Sequence, residues 1–518
     1  MTGNRTKTFL FALQVLASIF IALTGCTFTA CSNSETMGVD VEGSAAIHCK
    51  EADTNISPSQ EKTTEKDESL NADTTITVPA HKDSTYPHEV AEITPPNDSL
   101  RADFSITEPT NRDSMCTREV ICDSISEDLP LDDSEYPYAD IPRIVIETEN
   151  HQAIKDRETE IPAKLQIWGE KAPESEVMNL TIRGRGNTSW TEMPKKSYKI
   201  EFVNKQEMLG MPKDRDWALI ANYADKTLMK NYLMYHLSSK LEAYYAPQCK
   251  FAELYLNKEY LGVYLLTETI KIAKHRINIP KNEDSYLIEV DGRVEENEQP
   301  IYSTILSKET NKKAFRVHEP KNASEEALSV INNKIESFER YLKTINPQTN
   351  NDLDQWIDMN EYIKHYWIQE FSKNPDADFK TSVYFSWEKD GVIKMGPVWD
   401  FDLAFGSHDW ENYSSPQNWH TNDAYWNKYL FQDPIMENSI NTFWISKKAI
   451  FLHTLDTVDS IQVFLQNAAN NNFKKWKILQ STSYKYHRHS NKNYKDAVSD
   501  LKTWIKQRIE WINSEIEK

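Results

Sequence analysis

All 14 tryptophans of this 518-residue chain lie after residue 140, the first being Trp168. A long tract without large aromatics cannot bury enough apolar surface to offset the entropy of ordering it. Residues 31–140 carry 25 Asp and Glu against 7 Lys and Arg, so they hold −18 of the chain's net −20. They are also rich in Ser, Thr and Pro. Together these features predict a disordered acidic stalk that extends by self-repulsion, followed by one folded region over 141–518. Within the stalk, Glu68-Ser69-Leu70-Asn71-Ala72-Asp73 recurs as Asp98-Ser99-Leu100-Arg101-Ala102-Asp103. Two polar copies read as a duplicated linker, because solenoids need three or more copies with a core. Only −4 of net charge falls on 141–518, with no basic patch of the kind a nucleic-acid-binding domain needs.

The first residues read as a targeting segment. Arg5 and Lys7 precede an apolar run from Phe9 to Leu23, which is short for a membrane span and fits a signal peptide over 1–25. The run ends Leu23-Thr24-Gly25-Cys26, which resembles a bacterial lipobox, with Cys26 as the lipidated residue. An ordinary secretory cleavage site is the alternative, and Phe28-Thr29-Ala30-Cys31 is a weaker second candidate. On the lipobox reading the mature chain is anchored to a membrane rather than threaded through it, with 26–140 as the linker. Of six cysteines only Cys249 falls in the Trp-bearing region. No C-x-x-C and no His/Cys cluster occurs, so a structural zinc site is not expected. Cys116 and Cys122 could close a small loop in an oxidising compartment.

Strand-like alternation marks 143–148, 163–168, 178–183 and 196–202, which suggests an N-terminal sheet. Asp225 then looks like the N-cap of a helix over 226–241. A hairpin follows, 251–256 against 260–266 across Asn257-Lys258-Glu259. A short strand over 286–290 ends at Asp291-Gly292. The pattern turns helical over 327–342 and 353–371, and Asn374-Pro375 stops the second helix. Two further runs, 381–387 and 392–398, join at Asp390-Gly391. The last helix repeats apolar residues from Val498 to Ile516 at helical spacing. A small β-rich part thus leads into a larger helical part, and ligand sites favour such junctions.

Three stretches carry chemistry. Trp399-Asp400-Phe401-Asp402 places two carboxylates two apart. If a strand holds through Asp402, both point to one face, and a divalent cation such as Mg2+ would neutralise them. Otherwise one caps a turn and the other pairs with an arginine. Arg183-Gly184-Arg185-Gly186-Asn187-Thr188-Ser189 supplies free amides, forked donors and hydroxyls suited to a polyanion such as triphosphate, though it is neither a Walker loop nor G-x-G-x-x-G. It fits a solvated glycine turn equally well. Lys195, Lys196 and Lys199 follow; a strand lysine aimed into a cleft holds phosphates in protein kinases, while most decorate a solvated face. Asp376 lies 24 residues before Asp400, ahead of a β-hairpin, as the proton-accepting Asp of a kinase precedes its metal Asp. Where a kinase then has a second-metal Asn, five residues on, this chain has Thr381.

At this point the chain resembles the CotH-type (spore coat protein H) kinase family. The resemblance rests on Arg183–Trp190, Pro194-Lys195-Lys196-Ser197-Tyr198, Ala221–Thr227, Tyr260–Glu268, Asn374-Pro375-Asp376 and Trp399–Gly406, and spans roughly 141–518. It implies an α+β, atypical protein-kinase-like domain with a β-rich N-lobe and a helical C-lobe. It implies an enzyme that binds ATP with Mg2+ or Mn2+ and phosphorylates Ser, Thr or Tyr hydroxyls of envelope or surface proteins. Residue by residue, Asp376 becomes the candidate base, and Asp400 and Asp402 the metal ligands. Arg183, Arg185, Asn187, Lys195, Lys196 and Glu268 become nucleotide-site candidates. With Cys26 lipidated, the chain would be a lipid-anchored protein of the cell envelope. The competing expectation is a non-catalytic surface-displayed protein that binds a glycan or protein partner, favoured by Thr381 and by the scarcity of ATP outside the cytoplasm.

Overall fold

The alternation that opens the folded region builds seven strands: β1 (Arg143–Thr148), β2 (Ile161–Trp168), β3 (Met178–Arg185), β4 (Ser197–Met208), β5 (Met211–Ile220), β6 (Cys249–Leu256) and β7 (Glu259–Glu268). They close into a barrel in the order β1-β2-β3-β4-β5-β7-β6. Neighbours run antiparallel except at the seam, where β1 pairs in parallel with β6, Arg143 opposite Glu253. Inward residues such as Ile144, Leu165, Ile182, Ile200, Trp217 and Leu254 fill the interior. Closure removes the exposed edges that an open antiparallel sheet would leave. The computed structural model describes residues 127–518 except 294–299, 307–312, 350, 408–410 and 484. The expected leader, the lipidation site Cys26, the duplicated segment and the Cys116–Cys122 pair lie outside the described residues.

Residues 127–140 pack on the barrel, ahead of the boundary expected at 141. The Leu129 amide donates to Gln166 Oε1 (2.8 Å), and Tyr136 stacks on Tyr260 with centroids 4.1 Å apart. Arg143 pairs with Asp133.

The second sheet contains β8 (Ser285–Val290), β9 (Ile301–Tyr302), β10 (Ala314–Glu319), β11 (Val383–Glu388) and β12 (Lys394–Met395), in the order β12-β11-β8-β10-β9. Five helices of eight residues or more occur among the described residues: α1 (Lys230–Lys240), α2 (Glu325–Leu342), α3 (Met359–Ser372), α4 (Pro434–Lys475) and α5 (Tyr494–Ile516). Asp433 caps the 42-residue α4 by accepting the amides of Ile435 and Met436. None of these helices is long and apolar enough to cross a membrane. One apolar core runs from α1 through the second sheet to α3, α4 and α5.

The architecture is mixed α+β, and several expectations need correction. The strands expected over 286–290, 381–387 and 392–398 become β8, β11 and β12 and join β9 and β10 in a sheet of their own, which was not expected. The strands β5, β9 and β10 were not anticipated. Helix α1 starts four residues later than the Asp225 reading requires. Asp225 instead accepts the amides of Thr227 (2.8 Å) and Lys230 (2.9 Å), and Leu228 at φ 63° breaks any helix before Lys230. A single 3-10 turn, Leu353–Gln355, replaces the first part of the expected second helix. Asp358 then caps α3 by accepting the Glu361 amide (3.1 Å).

Candidate active site

A cleft of about 650 Å³ opens between the barrel and the second sheet. Both belong to one compact unit. From the barrel and its loops, Arg157, Arg183, Arg185, Gly186, Asn187 and Ser189 line it. From the second sheet and its ends come Glu289, Asp291, Arg293, Arg316, His318 and Tyr384, and Asp376, Asp400 and Asp402 complete the wall.

The basic wall follows from the turn after β3. Gly186 sits at φ 97°, which only glycine adopts without strain, and a Cβ there would run into Ser189. The short helix Thr188–Thr191 begins at once, and Gly186 to Ser189 line the cleft. Arg157 braces the turn by donating to Asn187 Oδ1 (2.7 Å) and to the Gly186 carbonyl (3.3 Å). Arg185 lies over the Trp399 ring at 4.9 Å. That contact joins the glycine turn to the acid stretch.

The acid wall comes from two chain breaks. Helix α3 ends at Lys373, which adopts the left-handed conformation, and Asn374-Pro375 turns the chain toward Asp376. The other acids follow β12. The strand expected to carry Asp400 and Asp402 ends at Met395, so the same-face argument fails. Asp400 instead occupies a left-handed turn at φ 63°. Phe379, Ser382 and Phe405 also have positive φ. Backbone strain gathered around one cleft is typical of a functional site.

Two asparagines hold these segments together. Asn374 Nδ2 donates to the Asp400 carbonyl (3.1 Å), and its Oδ1 accepts the Asp376 amide (3.3 Å). Asn231 on α1 accepts the Phe401 amide (2.8 Å). Behind them, Arg508 of α5 pairs with Glu370 of α3, both fully buried. Glu370 also accepts from the amides of His420 and Thr421, fixing the loop that covers α3.

The electrostatics are those of carboxylates crowded in protein. Burial, with Asp400 beside it, pushes the Asp376 carboxyl up to about 7. Burial raises Asp400, against the pull of Arg185 and Arg293. Burial first, then Asp400 and Asp376, holds Asp402 well above the usual carboxylate range. The Asp400 and Asp402 carboxyls perturb each other, as two acids buried side by side must. Both keep some access to the cleft, so a cation can reach them. Such a pair fits Mg2+ or Mn2+. Among the described residues no three His, Cys, Asp or Glu side chains close into a metal cage. Mg2+ does not need one, since it is commonly held by one or two carboxylates plus phosphate oxygens and water.

Of the nine expected nucleotide, base and metal residues, six line the cleft: Arg183, Arg185, Asn187, Asp376, Asp400 and Asp402. The other three are structural. Lys195 is 1 % exposed and donates to the Val263 carbonyl and to Asn472 Oδ1 (3.0 Å) on α4, so it pins the barrel to that helix. Lys196 reaches the Trp190 carbonyl and lies over that ring. Glu268 is buried, accepts from Tyr245 (3.1 Å) and the Gln248 amide (2.9 Å), and faces Arg276. Arg157, Arg293, Asn231 and Glu289 were not anticipated. Asp291-Gly292 marks only the end of a strand in the sequence pattern.

A family model described as CotH kinase protein matches residues 182–512. No curated protein matches significantly. The matched span contains the glycine turn after Ile182, Asp376, Asp400 and Asp402, the helices α1 to α4 and most of α5. The chain belongs to the CotH kinase protein family.

Proposed function

We propose that the chain is a phosphotransferase that moves the γ-phosphoryl group of ATP to a Ser, Thr or Tyr hydroxyl of an envelope or surface protein. The observation that carries this reading is the meeting of Asp376, Asp400 and Asp402 with a glycine- and arginine-rich wall in one cleft. In this reading the barrel serves as an N-lobe and the helix-backed sheet as a C-lobe, a kinase-like division. The Gly186 turn, Arg183 and Arg185 cradle the phosphates, with amides and forked guanidinium donors matched to phosphate oxygens. Asp400 and Asp402 would hold Mg2+ or Mn2+, which when bound offsets charge on the phosphate oxygens. Asp376 takes the proton of the acceptor hydroxyl as its oxygen bonds to phosphorus, the bond to the bridging oxygen breaks, and ADP leaves. A base held near pH 7 is suited to that task. Anchoring through Cys26 would keep the cleft at the membrane, beyond an acidic stalk.

The test is to incubate the full chain and Asp400→Ala with labelled ATP, Mg2+ or Mn2+, and extracted envelope proteins. The reading expects label on protein with wild type and a loss of 100-fold or more in the variant, the order of magnitude for removing a principal electrostatic group. No transfer with either metal, or equal transfer by both proteins, would sink it.

A further inference from the structure

Thr381, at the position where protein kinases carry a second-metal asparagine, is engaged elsewhere. Its hydroxyl donates to Asp291 Oδ1 (3.0 Å) and accepts from Arg293 Nη2. Arg293 also donates from Nε to Asp291 Oδ1 (3.0 Å), and Arg316 donates to Asp291 Oδ2 (3.0 Å). Asp291 is nearly fully buried, and the Arg293 side chain is 45 % exposed, in the cleft that holds Asp376 and Asp400. Arg293 is thus held through Nε by a carboxylate and through Nη2 by a hydroxyl, in the cleft that Asp376 and Asp400 also line. The bond to Thr381 joins Arg293 to the segment that follows Asp376.

We infer that Arg293 is a built-in cation of the acid wall, held there by Thr381 and Asp291, and supplies the positive charge that a second metal supplies in other kinases. The inference rests on the proposed phosphotransferase reading, and it gives Thr381 a positive role in place of a missing ligand. Arg293 offsets the three aspartates before any ion arrives and competes with a cation for them. With nucleotide bound, its free donors face phosphate oxygens, for which a planar guanidinium is well matched. A single metal ion at Asp400 and Asp402 then suffices.

The test is Mn2+ binding to the full chain, followed by electron paramagnetic resonance without nucleotide. Wild type should bind one Mn2+, and Arg293→Ala should bind it about tenfold more tightly or more, the effect of removing one adjacent opposite charge. Arg293→Lys keeps the charge and should stay near wild type. Arg316→Ala, which removes an equal charge from the same cleft, should change affinity less than threefold. A packing role for Arg293 would not tighten metal binding. Unchanged or weaker Mn2+ binding by Arg293→Ala, or equal tightening by Arg316→Ala, overturns the inference and leaves the phosphotransferase reading standing. Two Mn2+ ions on wild type overturn it as well. Absence of Mn2+ binding by wild type and every variant overturns the inference as well; the phosphotransferase reading fails only if labelled ATP gives no transfer. As a second readout, Arg293→Ala should lower kcat with KM for ATP within threefold.

Discussion

Neutralising the base should stabilise the fold while abolishing activity. Burial and Asp400 raise Asp376 from 3.8 to about 7. The sign follows from proton binding: a raised pKa means that the native state holds the proton more tightly than the unfolded chain. The associated stability is fully present below pH ~3.8 and lost as pH rises through about 7. A shift of about three units corresponds to at most about 4 kcal/mol at pH 8, since one unit is about 1.4 kcal/mol. The side chain keeps access to cleft water, and screening reduces this to about 1–2 kcal/mol. Asp376→Asn should therefore be more stable than wild type by that amount at pH 8, and the gain should fall away toward pH 4, where the wild-type carboxyl is largely protonated in the native state. The assay is urea unfolding of the full chain in EDTA at both pH values, compared by midpoint. A gain of about 0.3 M at pH 8 that shrinks at pH 4 is expected. A variant less stable than wild type at pH 8, or a gain independent of pH, would refute the claim that this carboxylate is crowded and poorly compensated.

Other perturbations separate site from scaffold. Lys195→Met takes a donor from the Val263 carbonyl and leaves Asn472 Oδ1 with the Val263 amide alone, so thermal melting should show a loss of about 1–3 kcal/mol, with ATP affinity by calorimetry within twofold of wild type. Arg508→Met leaves Glu370 buried without its cation; a loss of about 3–5 kcal/mol in denaturant unfolding is expected. Gly186→Ala combines positive φ with a clash against Ser189, and should weaken ATP binding at least tenfold while lowering stability by about 1–3 kcal/mol.

The parts of the site legible in the sequence were those encoded by local punctuation. Asn374-Pro375 announced the chain break that exposes Asp376, and the two glycines announced the turn after β3. The two acids of the opening motif do meet, but through a left-handed turn at Asp400 and not through strand alternation; period-two patterning cannot see a strand that stops at Met395. The lysines misled because alternation says which residues share a face and not what that face meets. For Lys195 the answer is α4, more than 270 residues away in sequence. Arg293 was invisible for the same reason, since its role depends on Thr381 and Asp376 arriving from another segment. Of the second sheet, β8, β11 and β12 fall in runs that alternation marks, whereas β9 is two residues, too short to carry a pattern. Helix α2 and helix α5 were readable because each keeps one apolar stripe against the core, whereas nearly every residue of α3 is buried and leaves no stripe to fix its start, which lies at Met359 and not at Leu353.

The central claim is that Asp400 and Asp402 hold a metal ion on the phosphates of a nucleotide within this cleft. Crystals of the full chain soaked with Mn2+ and a non-hydrolysable ATP analogue, measured at the manganese absorption edge, test it directly. The account predicts an anomalous peak within about 2.3 Å of an Asp400 oxygen, with phosphate density against the Gly186 turn. Nucleotide bound with its manganese away from both aspartates, or no nucleotide in the cleft at saturating concentration, would contradict it.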